Sequence, residues 1–99
     1  MSVKDALREI DAAVEESFDR ARRHEERRNA RSRRNVYEKA LREVRRIAGD
    51  EGMWALSQWI TKQMREEKNV PSGRRVRQQG ARICRKNGYE VSTGSWLGA

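Results

Sequence analysis

The chain has 99 residues, 35 % hydrophobic and 38 % charged, against about 45–50 % and about 25 % in an ordinary globular protein. A chain of this size and composition builds one domain with a thin core, and its single cysteine excludes an internal disulfide. The formal net charge of +8 makes an anionic polymer or surface the default partner class.

Residues 2–19 open with Ser2 and Asp5 in capping-box spacing, followed by Val3, Leu7, Ile10 and Val14, then Phe18 and Ala21. The three-four step predicts an amphipathic N-terminal helix. Over residues 1–19 it carries six acids against two cations. Its apolar stripe, residues 3–21, is expected to join a second copy in a homodimer or higher homo-oligomer.

Residues 20–34, RARRHEERRNARSRR, reverse that balance with eight arginines against two glutamates. With almost no apolar residue between Ala21 and Val36, the block is expected to stay exposed, either as a helical rod or as a basic linker that orders on phosphate. Arg27, Arg28, Arg31, Arg33 and Arg34 are candidate nucleic-acid contacts. Residues 1–34 thus read as a helix with an arginine-rich extension, and residues 35–99 as a helical nucleic-acid-binding domain.

From Asn35 to Ala48, the residues Val36, Tyr37, Ala40, Leu41, Val44, Ile47 and Ala48 keep helical spacing, and Gly49 ends the helix in a short GDEG connector. The next helix, Met53 to about Glu67, carries Met53, Leu56, Ile60 and Met64 on one stripe. Trp54 and Trp59 lie beside that stripe and are expected to belong to the core or to a subunit interface.

Residues 68–88 hold seven cations and no acid. Pro71 ends the preceding helix, Ser72 is a good N-cap, and Gly88 is placed as the left-handed residue that stops a helix at Asn87. On this helix Val76, Gly80, Ile83 and Cys84, with Asn87 below them, form one face. Arg74, Gln78, Ala81, Arg82 and Arg85 form the other. The like charges repel, and Arg74 and Arg75 stand where the helix dipole disfavours cations, a conflict that a bound phosphate would relieve. A cation-rich second helix after a short turn has helix-turn-helix character. Arg74, Arg75, Gln78 and Gln79 are the base-edge candidates; Arg77, Arg82, Arg85 and Lys86 are the phosphate candidates. The tail YEVSTGSWLGA reads as a short extended segment that turns at Thr93-Gly94 and folds Trp96 and Leu97 back onto the helices.

His24 and Cys84 stand apart from any nucleophile or metal-ligand constellation, and no glycine loop has phosphate-cradling spacing. The expectation is an all-α, non-enzymatic protein without metal or cofactor. No apolar run approaches the roughly 18 residues of a membrane span, and MSVKDALREI does not read as a signal peptide, so a cytoplasmic or nucleoid-associated protein is expected. Duplex DNA is favoured over RNA as partner, with transcription regulation as the role. The rival readings are RNA or ribonucleoprotein binding through the arginine block, and a structural subunit, such as that of a virion or complex, in which the acidic arm of one copy docks on basic segments of another.

Overall fold

The computed structural model describes residues 2–19 and 24–98. It comprises α1 (Val3–Ser17), α2 (His24–Arg65), α3 (Gly73–Lys86) and a closing 3-10 turn (Trp96–Gly98). No strand occurs among the described residues; the tail turns at Thr93-Gly94 as expected and then closes in a 3-10 helix in place of a strand.

The α1 helix starts on the expected box. The Ser2 hydroxyl accepts from the Asp5 amide at 3.3 Å, and the Asp5 carboxylate accepts from the Ser2 amide at 3.1 Å. Val3, Ala6, Leu7, Ile10 and Ala13 are buried, and Phe18 closes the stripe just past the helix end. The chain's own α2 covers this stripe, and all of these residues join one core with α2 and α3. The face assigned to a homodimer is therefore already buried within one copy; Ala21, at its predicted end, lies outside the described residues.

The 42 residues of α2 do not form a straight rod, because Gly49 adopts φ 76°, ψ −169°. A straight helix of that length would span about 63 Å, whereas the molecule's longest extent is 43 Å. The 50–65 arm folds back along the 24–48 arm. Arg33 donates to the Val70 carbonyl at 2.7 Å, and the Tyr37 hydroxyl donates to the Pro71 carbonyl at 2.6 Å. The segment 24–34, left open between rod and linker, is helical, and the 34/35 boundary falls inside α2. Along the first arm the buried positions run Arg27, Ala30, Tyr37, Ala40, Leu41 and Val44. Along the second they run Met53, Leu56, Ile60 and Met64, each fully buried and each worth about 1.5–3 kcal/mol of apolar burial.

The Ser72 hydroxyl caps α3 by accepting from the Arg75 amide at 3.2 Å. At the other end Gly88 takes φ 86°; its amide bonds Arg85 O and the Tyr89 amide bonds Cys84 O, a Schellman closure. The helix sits in the angle between the two arms. A Cβ on Gly80 would lie 3.0 Å from Val44 Cγ2, 3.0 Å from Leu97 Cδ2 and 3.6 Å from Leu56 Cδ2, so the missing side chain permits this approach. The tail docks beside it. Leu97 is buried, the Ser95 hydroxyl donates to Glu43 at 3.2 Å, and Trp96 lies between Lys39 Nζ at 5.1 Å and Arg77 Cζ at 4.9 Å from its ring centre.

Candidate nucleic-acid interface

The two basic blocks have different fates. In the first, residues 20–23 lie outside the described residues. Within the remainder, the side chain of Arg27 is only 8 % exposed; it donates to the Phe18 carbonyl at 2.8 Å and to Glu15 at 2.6 Å. It occupies a core position of α2 and is unavailable to a ligand. Arg33 is half-buried on Val70, and Arg34 pairs with Asp11 at 3.3 Å. Arg28 is exposed beside His24, and Arg31 is exposed without a partner among the described residues. Glu16 of α1 reaches Arg65 at 2.8 Å. The acidic helix thus pairs with basic residues of its own chain, so the charge complementarity that suggested assembly between copies is used within one copy.

The second block is presented differently. Arg74, Gln78, Arg82, Arg85 and Lys86 are exposed on α3, and the four cations among them form no ion pair with any described residue. Arg75 is exposed but braced: its guanidinium lies 5.5 Å from the Trp59 ring centre and donates to Gln63 at 3.3 Å. Arg77 is half-buried, stacks on Trp96 and donates to the Trp96 carbonyl at 3.1 Å, so it fixes the tail. Gln79 is half-buried at the edge of a groove between α3 and the 50–65 arm. Ala81, expected on the outer face, is buried, while Asn87, expected on the apolar face, is exposed. The reason is the tail: it covers the flank of α3 marked by Arg77, and Ala81 lies one turn further along that flank.

The first turn of α3 holds no acid, so its N-terminal dipole and the guanidiniums of Arg74 and Arg75 share one positive end. Cys84 is fully buried, and that burial pushes its thiol above the ordinary cysteine range, with Glu43 adding to the shift. Among the described residues no group of three or more His, Cys, Asp and Glu is placed to hold a metal ion, and no helix is long and apolar enough to cross a membrane.

Trp54 and Trp59, expected in the core or an interface, are partly buried against the core and also flank the groove beside α3. The sequence carried one signal for this placement: each falls beside the Met53, Leu56, Ile60, Met64 stripe and not on it. Comparison with protein-family models, with curated proteins and with solved structures gives no match.

Proposed function

We propose that the protein binds duplex DNA through the outer face of α3 and serves as a small transcriptional regulator. The observation that carries this reading is the contrast between the two basic blocks. The first has Arg27, Arg33 and Arg34 engaged within the chain; the second leaves Arg74, Arg82, Arg85 and Lys86 exposed on one helix with no ion pair to any described residue. Unpaired cations in a row release counterions from a polyanion and bind it with steep salt dependence. The 50–65 arm, the connection 66–72 and α3 give the reading its helix-turn-helix character, although the connection exceeds the three or four residues usual in that motif. The charge distribution therefore carries more of the argument than the motif does. RNA binding through the arginine block is the weaker reading, because three of that block's five described arginines, Arg27, Arg33 and Arg34, hold α1 and the loop before α3.

The test is titration of nuclease-treated protein into labelled duplex over a salt series. Arg85→Ala is expected to weaken every sequence about equally and to reduce the log–log salt slope by about one unit. Arg74→Ala is expected to relax sequence preference. Equal effects of both variants on every sequence would overturn the base-reading role of Arg74, and absence of duplex binding at low salt would overturn the function.

A further inference from the structure

Beside α3, on the side facing the 50–65 arm, runs an open groove of about 530 Å³. Its apolar floor consists of Ala55, Trp59 and Ile83. Lys62, Arg82 and Lys86 stand around it, and Lys62 is held only loosely, by Glu66 at 3.9 Å. Three amides, Gln58, Gln79 and Asn87, complete the rim, and the Asn87 amide nitrogen also donates to the Ile83 carbonyl at 2.9 Å. The surface continues past Gln58 and Asn87 to Trp54, where Glu51 is the only acid among its lining residues. The two tryptophans stand five residues apart on one helix, about 7.5 Å along its axis and about 140° around it, so Trp59 lines the groove itself and Trp54 its continuation past Gln58 and Asn87.

This combination is more than phosphate contact requires. A closed duplex offers phosphates to cations but keeps its base faces stacked on one another, so it has no use for an aromatic floor. An unpaired strand has three kinds of surface to place: base faces that stack on indoles, base edges that bond amides, and phosphates that pair with cations. The groove holds a partner for each. An acidic amphipathic helix would satisfy the floor and the cations. Its carboxylates can also accept from the amides, but it offers no flat π-face to the indoles, which an unpaired base does.

We propose that the groove between the 50–65 arm and α3 binds an unpaired stretch of nucleic acid, with bases against Trp59 and Trp54 and phosphates on Lys62, Arg82 and Lys86. The proposal rests on α3 as the nucleic-acid-facing helix and adds a preference within that reading: gapped or melted DNA over fully closed duplex. Arg75, itself held by Gln63, lies over the Trp59 ring before any ligand arrives, which lowers the ordering cost of binding.

The experiment compares a labelled closed duplex with the same duplex carrying a short central single-stranded gap, at one salt concentration. Tryptophan emission is followed in parallel during titration with oligothymidine. The gapped duplex is expected to bind about tenfold tighter or more, with quenching of emission, as stacking on an aromatic platform provides. Trp59→Leu keeps an apolar floor and is expected to lose the preference and part of the quench while still binding closed duplex. Circular dichroism checks its fold, and the wild-type preference and quench stand independently of any variant. Equal binding of closed and gapped duplexes without quenching overturns the groove proposal and leaves duplex binding by α3 standing. Failure to bind either overturns both. Quenching by an acidic amphipathic peptide but not by oligothymidine overturns the proposal in favour of a protein ligand.

Discussion

Tyr37 and Pro71 meet across 34 residues of chain: the buried phenol donates to the proline carbonyl at 2.6 Å, joining the first arm of α2 to the residue just before the cap of α3. Because Pro71 adjoins Ser72, this bond helps set where α3 begins. Tyr37→Phe removes the donor and leaves a buried carbonyl unpaired, at a cost of about 1–3 kcal/mol. The denaturant midpoint is expected to fall by that amount with helix content unchanged, and amide exchange in α3 to rise more than in α1. Burial also pushes the Tyr37 phenol well above its ordinary range. Its contribution is therefore fully present below pH about 10 and is lost as pH rises beyond that.

Arg27 and Arg31 lie one turn apart in the same arginine-rich block, yet only the first is a core residue. Arg27→Ala strands the Phe18 carbonyl and opens a space under α1, and is expected to cost about 2–3 kcal/mol. Arg31→Ala is expected to change stability by less than about 0.5 kcal/mol. Thermal melts of the two variants, side by side, give the comparison.

At Gly80, helix propensity and packing pull in opposite directions. Alanine gains about 1 kcal/mol in an exposed helix, but here its methyl would meet Val44 and Leu97 at 3.0 Å each, and overpacking of that kind costs about 1–3 kcal/mol. Gly80→Ala is expected to be net destabilising in urea unfolding. Adding Leu97→Ala relieves one of the two contacts, so the double variant is expected to be more stable than the sum of the single changes implies.

Glu43 links the tail to α2. It accepts from Arg46 and Ser95, and the Arg46 hydrogen bond above all, helped by the Arg46 charge, the Ser95 bond and the Lys39 charge, holds its carboxyl below the ordinary glutamate range against the opposing effect of burial. A depressed folded pKa means stability present above the unfolded value, about 4.3, and lost as pH falls through the folded one. Acid titration of Trp96 emission is expected to show the tail loosening below pH about 4, and Glu43→Gln is expected to flatten that response.

Much of this fold is legible residue by residue. Ser2 with Asp5, Gly49, Ser72 and Gly88 each announce a helix end through local chemistry, and each ends a helix or breaks one in the structure. What could not be read depends on partners distant in sequence. Arg27 resembles its neighbours until the Phe18 carbonyl and Glu15 are brought beside it. Ala81 resembles an outer-face residue until the tail covers that flank of α3. That Trp54 and Trp59 flank a groove beside α3 while packing against the core depends on where α3 lies, which helical spacing within the arm does not encode. The exposure of Arg74, Arg82, Arg85 and Lys86 on α3 was legible because no described residue pairs with them to draw them inward.

The backbone of Gly49 lies in a region that only glycine occupies comfortably, and a Cβ there would meet nothing within 4 Å. The obstacle to any other residue is torsional and not steric. Gly49→Ala therefore favours continuing the helix straight through, which would swing α1 and the first arm away from the second arm and α3 and bare both halves of the core. Two such opened chains can close on each other, each supplying the half its partner has exposed. The φ and ψ of one residue thus keep the molecule self-contained, and size-exclusion chromatography of Gly49→Ala is expected to show exchange into a domain-swapped pair.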